Sequence, residues 1–208
     1  MNTNLDRAYY QQGYKSIAGC DEAGRGPIAG PVVAAAVILP RDFYDERIHD
    51  SKQVSEKNRL ELFTLIQRVA LAYAITVIDV ETITNINILE ASRLGMQRSL
   101  EKLKTDYDLV LSDAMRLPQQ SVLVVPLIHG DALSQTIAAS SILAKVTRDA
   151  LMVELGKKYP HFQFEQHKGY PTPLHLSLLK QHGPIKGIHR PTFAPVKALL
   201  QTNHKHVR

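Results

Sequence analysis

Residues 18–31 read AGCDEAGRGPIAGP: an apolar approach, two adjacent carboxylates, then a run of turn residues. Residues 16–20 have the character of a strand. Residues 31–39, PVVAAAVIL, have the character of a second, and the Gly/Pro cluster from 24 to 31 forces a turn or bulge between them. Asp21 and Glu22 therefore follow an apolar strand. In α/β sheets, functional residues gather at strand termini. Adjacent residues on a strand point to opposite faces, so for both carboxylates to serve one site the chain must bend there, which the glycines permit.

Outward from this stretch, residues 55–70 place Leu60, Leu62, Phe63, Ile66 and Val69 at helical spacing, and 71–80 (LAYAITVIDV) alternate as a third strand. Residues 85–103 form a second helix. Short strands follow at 108–112 (DLVLS) and 121–128 (SVLVVPLI), with Pro126 arguing for an edge or a strand end. Residues 134–159 are Ala-rich and helical, and 172–182 form a further short helix. Residues 1–15 suit a short helix or arm, and 204–208 a flexible basic end. The pattern is that of an α/β chain, a mixed sheet flanked by helices with a helical C-terminal part from about residue 160. A length of 208 residues fits a single domain over 1–208.

Composition narrows the function classes. The single cysteine, Cys20, excludes an internal disulfide and a Cys-rich zinc module. No signal-peptide pattern is visible at 1–6, and the longest apolar run is too short for a membrane span. The expectation is a cytoplasmic, monomeric protein without a membrane role. The net charge of +5 suits a polyanionic partner.

Asp113 ends the apolar run LVLSD, and Asp131, in His129-Gly130-Asp131, stands just before the Ala-rich helix. Four carboxylates in one place repel by roughly 4 kcal/mol per pair at 4 Å and an effective dielectric near 20. Hard divalent cations such as Mg²⁺ neutralise such a cluster, and two of them about 3.5–4 Å apart clamp an in-line phosphoryl displacement. An Asp at a strand end more often forms a turn or caps a helix, and spacing alone leaves both readings open for Asp21, Glu22, Asp113 and Asp131. Gly24-Arg25-Gly26-Pro27 is neither a Walker A loop nor a dinucleotide fingerprint. Its glycines let backbone approach a ligand closely, and its N–H and C=O groups suit a sugar hydroxyl. Lys52 follows Asp50-Ser51, and Tyr170 closes the basic loop His167-Lys168-Gly169-Tyr170. Such an aromatic either stacks on a base or sugar or is buried.

These motifs together resemble the ribonuclease HII family, the type 2 ribonucleases H of bacteria. The likeness runs from about Ile17 to Val196. It rests on Asp21 to Pro27 (DEAGRGP), Asp50-Ser51-Lys52, Gly130-Asp131-Ala132, the stretch 137–149 (IAASSILAKVTRD), His167 to Tyr170 and His189-Arg190 with 193–196 (FAPV). The resemblance implies a ribonuclease H-like fold, a mixed five-stranded sheet with a C-terminal helical extension. It implies an endonuclease that cuts the RNA strand of RNA–DNA hybrids and nicks 5′ of ribonucleotides embedded in duplex DNA, leaving 5′-phosphate and 3′-hydroxyl ends. It assigns Asp21, Glu22, Asp113 and Asp131 to catalysis and to Mg²⁺ or Mn²⁺, two ions in the active complex. It assigns Gly24, Arg25 and Gly26 to the ribose 2′-hydroxyl, Tyr170 to the following deoxyribose, and Lys52 to substrate. The chain departs from the family pattern at Pro171, where a glycine is usual, and around 183–189, where the motif is looser. A competing reading from another class is a nucleic-acid-binding module without turnover, which predicts binding but no metal-dependent cleavage.

Overall fold

In the computed structural model, which describes residues 5–49, 51, 54–118 and 120–205, β1 (Ile17–Ala23) is the central strand of a five-stranded mixed sheet. It pairs antiparallel with β2 (Val32–Ile38), from Ala18↔Ile38 to Ala23↔Val33. On its other side it pairs parallel with β4 (Leu109–Asp113), which pairs parallel with β5 (Leu123–Leu127). With β3 (Ala72–Ile78) beside β2, the order is β3-β2-β1-β4-β5. The expected five strands are all present. Every residue of β2 is buried, which is why its sequence is a continuous apolar run rather than an alternation. Pro126 lies on the edge strand β5, where a missing N–H costs little.

Strand parity sorts the sheet into two faces. Ala18, Cys20, Ala34, Ala36, Ile38 and Val110 form one buried cluster with Met96 and Leu100, which belong to α3 (Val80–Glu101). Ile17, Leu109 and Leu111 form another with Tyr10 of α1 (Leu5–Gln11) and Ile137 of α5 (Gln135–Lys158). Helix α5 approaches β1 closely at Gly19, where a Cβ would lie 2.4 Å from the Thr136 carbonyl carbon. Only glycine tolerates that distance. The same end of α5 is tied down by Asp6 of α1. Its carboxylate accepts from Ser134 Oγ at 2.5 Å, Thr136 N at 2.9 Å and Thr136 Oγ1 at 2.8 Å, satisfying donors that a helix start leaves open.

Helix α2 (Glu56–Val69) matches the expected span. Helix α3 starts earlier than the predicted residue 85 and carries a kink at Asn87, φ 65°. Two side-chain caps explain it. Asp79 Oδ1 accepts from Thr82 N at 2.8 Å, and Asn87 Oδ1 accepts from Leu89 N and Glu90 N at 2.9 and 3.1 Å. The chain is thus two helices in series, each with its own cap.

The chain divides into two compact units: Met1–Ala23, Val33–Val77 and Ser92–Val146 form the first, and Gly24–Val32, Ile78–Ala91 and Thr147–Arg208 the second. The second has its own core of Ile28, Ala29, Met152, Phe162, Phe164, Leu179 and Val196. A 3₁₀ turn (Pro160–Phe162), α6 (Phe164–His167), α7 (Pro173–His182) and α8 (Ala194–Lys205) belong to it. Helix α8 lies within the helical C-terminal part expected from about residue 160, although the sequence pattern gave it no bounds of its own. It takes in residues 204–205 of the stretch expected to be a loose basic end, while 206–208 lie outside the described residues, as do residues 1–4 of the expected N-terminal arm. No helix among the described residues is long and apolar enough to cross a membrane.

Candidate active site

The ladder between β1 and β4 ends at Cys20↔Ser112. Asp21 and Asp113 are the next residue on each strand, so they stand level, with the parity of the face that packs on α5. Strand β1 does not bend at the acidic pair, where the sequence reading required a bend for both carboxylates to serve one site. It continues regularly through Ala23, and Glu22 keeps the opposite parity. What joins Glu22 to Asp21 is the backbone: Glu22 N donates to Asp21 Oδ1 at 2.7 Å.

Asp21 is 4% exposed. Burial pushes its carboxyl well above the usual carboxylate range, and the negative charges of Glu22 and then Asp113 push it further. A hydrogen bond from Ser141 and the one from Glu22 N oppose the rise. Ser141 lies one turn beyond Ile137 on α5, and its Oγ is 2.9 Å from Ser51 Oγ. Both serines are buried. Sequence reasoning counted Ser51 and Ser141 only as letters in motifs. The structure shows them as the hydroxyl pair that supports Asp21.

Asp113 Oδ1 accepts from Gly130 N at 2.8 Å. A Cβ on Gly130 would lie 2.7 Å from Ile137 Cδ1 and 3.3 Å from Asp113 Oδ1, so glycine is what lets this amide reach the carboxylate. Asp131 follows directly, buried in the first turn of α4 (Gly130–Leu133). The structure therefore gathers Asp21, Glu22 and Asp113 into mutual electrostatic reach. It links Asp131 to them through its neighbour's amide. Among the described residues, no three His, Cys, Asp or Glu side chains are drawn into a closed ligand group. The donor set nonetheless fits a hard cation: all four are oxygen ligands, and Mg²⁺ keeps several waters and takes only one or two carboxylates. Cys20 is no part of this chemistry, since burial and then the charge of Asp21 push its thiol far up.

The second unit holds the Gly-Arg-Gly loop. Gly24 has φ 104° and is buried, while Arg25 and Gly26 are exposed. A Cβ on Gly24 would collide with the Arg148 side chain, 2.2 Å from Nε, and one on Gly26 would touch the Tyr170 ring at 3.6 Å. The loop and the tyrosine are thus neighbours, and Tyr170 is 41% exposed rather than buried. Beneath them sit two guanidiniums, both at most 1% exposed. Arg148 donates from Nε to Pro31 O at 3.1 Å and from Nη2 to Ala29 O at 3.3 Å, and lies 5.9 Å from the Tyr170 ring centroid. Arg190 makes five hydrogen bonds to carbonyls of the same loop. Its neighbour His189 continues the brace, since Ala29 forms a bridge with His189 and Arg190 N donates to Ile28 O at 2.8 Å. Arg148 and Arg190 were visible in the sequence as motif letters, but nothing in the spacing marked them as buried.

Three histidines hold the Tyr170 segment. His167 Nε2 meets Phe162 O at 2.7 Å while its Nδ1 accepts from Gly169 N at 3.1 Å. His175 Nδ1 meets Tyr170 O at 2.9 Å, His175 Nε2 meets His189 Nε2 at 3.2 Å, and His189 Nδ1 accepts from Ile185 N at 2.9 Å. One proton assignment satisfies every contact: Nε2–H on His167 and His189, Nδ1–H on His175. All three rings are neutral in it. Asp50 and Lys52 of the Asp-Ser-Lys motif lie outside the described residues.

Comparison with known proteins identifies the family and the fold. The family profile described as Ribonuclease HII matches residues 18–196. A ribonuclease HII of Endomicrobium trichonymphae is 50% identical over 198 residues, 95% of this chain and 94% of the relative. The ribonuclease H2 of Pyrococcus horikoshii OT3 superposes with a TM-score of 0.79 at 25% identity, covering 92% of this chain and 100% of that one. Bst-RNase HIII in complex with Mn²⁺ shares the fold, with a TM-score of 0.75 at 19% identity over 99% of this chain and 75% of that one. The profile spans the acidic strand ends, the Gly-Arg-Gly loop and the buried arginines alike, and on these grounds the chain belongs to the ribonuclease HII family and is an endoribonuclease of the ribonuclease H class.

Proposed function

We propose that the chain hydrolyses the RNA strand of RNA–DNA hybrids and nicks duplex DNA 5′ of embedded ribonucleotides, leaving 5′-phosphate and 3′-hydroxyl ends. The observation that carries this reading is the acidic concentration at the end of β1 and β4. Asp21 is buried next to Glu22 and Asp113, and each of those charges raises its carboxyl further. A buried cluster of this kind is stable at neutral pH only with protons or cations on it.

Asp21, Glu22, Asp113 and Asp131 would hold two divalent ions, Mg²⁺ or Mn²⁺. Such ions, when bound, lower the pKa of an attacking water and stabilise the leaving oxygen. The chain's own residues do the rest. Ser141, backed by Ser51, and the Glu22 amide orient the Asp21 carboxylate, and the Gly130 amide orients that of Asp113. Gly24, Arg25 and Gly26 read the ribose 2′-hydroxyl, the one sugar group that separates a ribonucleotide from its DNA surroundings. A site built to hydrogen-bond a hydroxyl rejects its absence by about 10⁴–10⁵. The exposed ring of Tyr170 stacks on the following deoxyribose, and Lys52 takes part in substrate binding. In this reading the chain works as a cytoplasmic monomer, a setting in which a lone buried cysteine stays reduced.

The test is a duplex DNA with one ribonucleotide, incubated with Mg²⁺ or Mn²⁺, with both product ends mapped. A single nick 5′ of the ribonucleotide, abolished by a chelator, is expected. Equal nicking of an all-DNA duplex, or binding without any metal-dependent nick, defeats the reading; the second outcome would favour a binding module.

A further inference from the structure

The second unit spends two buried guanidiniums on one short loop. Burying a charge without an acidic partner is costly unless its donors are satisfied. Arg190 meets that cost with backbone carbonyls: Nη2 donates to Gly24 O at 2.7 Å, Gly30 O at 2.9 Å and Pro31 O at 3.2 Å, Nη1 to Arg25 O at 3.1 Å and Nε to Gly30 O at 3.0 Å. The Phe193 ring, with its centroid 5.0 Å from the guanidinium carbon, closes one side. One side chain thus grips both ends of the loop, Gly24-Arg25 and Gly30-Pro31.

The consequence follows from the geometry of the peptide plane. In a planar trans peptide the C=O of one residue and the N–H of the next point in opposite directions. With the carbonyls of Gly24 and Arg25 turned inward to Arg190, the N–H groups of Arg25 and Gly26 are turned away from it. Those are the two exposed residues of the loop. Two consecutive outward N–H groups form a small concavity that favours an oxygen acceptor, and the buried positive charge behind them strengthens it.

We propose that Arg190 is a positioning residue that fixes the backbone N–H groups of Arg25 and Gly26 as the paired donors facing the ribose 2′-oxygen. This rests on the reading of the Gly-Arg-Gly loop given above. Arg148 beside it donates to Pro31 O and Ala29 O, at one end of the loop, so its hold on the loop carbonyls is the smaller. The guanidinium fork is what matters, because a lysine at 190 keeps the charge but has one nitrogen for acceptors spread over four residues.

The experiment compares the wild type with Arg190→Lys on two duplex DNAs, one with a single ribonucleotide and one with a 2′-fluoro-2′-deoxynucleotide at the same position. The wild-type ratio of kcat/KM between them is expected to be large, and Arg190→Lys to shrink it at least tenfold. A proportional fall on both substrates, leaving the ratio unchanged, is what a purely structural role produces and overturns the proposal. A second readout needs no substrate. ¹⁵N relaxation of the Arg25 and Gly26 amides should show a rigid loop in the wild type and nanosecond motion in Arg190→Lys, with β1 amides unchanged. A loop equally rigid in both overturns the proposal. If the variant does not fold, the wild type still decides: slow-exchanging, rotationally restrained Arg190 side-chain N–H signals support the grip, and freely averaging ones refute it. Should the wild type show no preference for the 2′-hydroxyl, the substrate reading fails, and the relaxation data alone judge whether Arg190 positions the loop.

Discussion

Asp113 is the acidic residue whose surroundings most clearly separate a catalytic from a structural role. Its Oδ1 accepts the Gly130 amide, a bond that asparagine can also accept. Asp113→Asn should therefore fold normally and lose charge alone. The expected result is a fall in kcat of at least about 10² with a melting temperature within a few degrees of wild type, read by steady-state nicking assays and thermal denaturation. Full activity would remove Asp113 from the site. Asp21→Asn should be as inactive yet melt a few degrees higher than wild type in metal-free buffer, because it relieves the repulsion from Glu22 and Asp113 on a buried carboxyl. Saturating Mn²⁺ should then raise the melting temperature of the wild type more than that of either variant, as expected of ions held by these carboxylates. Asp21, Glu22 and Asp113 stood out in the chain because apolar runs lead into them, and Asp131 because it stands just before the Ala-rich helix. Ser51 and Ser141 were not, since a hydroxyl gives no signal in a hydropathy pattern and its partner lies 90 residues away.

At the scale of elements, the site depends on how closely α5 sits on β1. Gly19 is the contact point, and Gly19→Ala would force a Cβ against the Thr136 backbone, which cannot move aside as a flexible side chain can. The variant should lose on the order of 2–4 kcal/mol in urea denaturation. Its activity should fall further than its stability explains, because Ser141 rides on the displaced helix. Asp6→Ala tests the other fastening. It strands the Thr136 amide and two hydroxyls, for an expected loss of about 1–3 kcal/mol by the same measurement. All five strands and four of the longer helices could be read from periodicity. The misses have particular causes. Helix α3 gave a blurred start because Asp79 and Asn87 each cap a segment, and α8 follows Pro191 and carries Pro195 in its first turn, residues that read more readily as turns. Asp6 looked like an ordinary polar residue in an N-terminal arm; its burial is a tertiary fact, set by a contact 128 residues away.

At the scale of the whole molecule, the histidines give stability a pH dependence whose sign is fixed by their burial. Desolvation lowers both His175 and His189 to about 4; for His175 the nearby His167 adds to the fall, and for His189 the His175 ring does. Unfolded histidines titrate near 6.5. Above that pH both states are neutral and the cluster contributes fully. As pH falls from about 6.5 towards 4, the unfolded chain binds protons that the folded one refuses, and stability declines; below about 4 the loss levels off. For the pair, the expected decline is on the order of 2–3 kcal/mol after allowing for relaxation of the site. Asp6, whose carboxyl is raised by burial, contributes with the opposite sign, so the histidine share has to be read against a variant. Glutamine at 189 can still donate to His175 and accept from Ile185, but it does not titrate. His189→Gln should therefore melt close to wild type at pH 7.5 and show a visibly shallower loss of melting temperature between pH 7 and pH 4.5. Parallel pH curves for the two proteins would mean that the histidine cluster is not held neutral, and the proton assignment drawn from its hydrogen bonds would have to be abandoned.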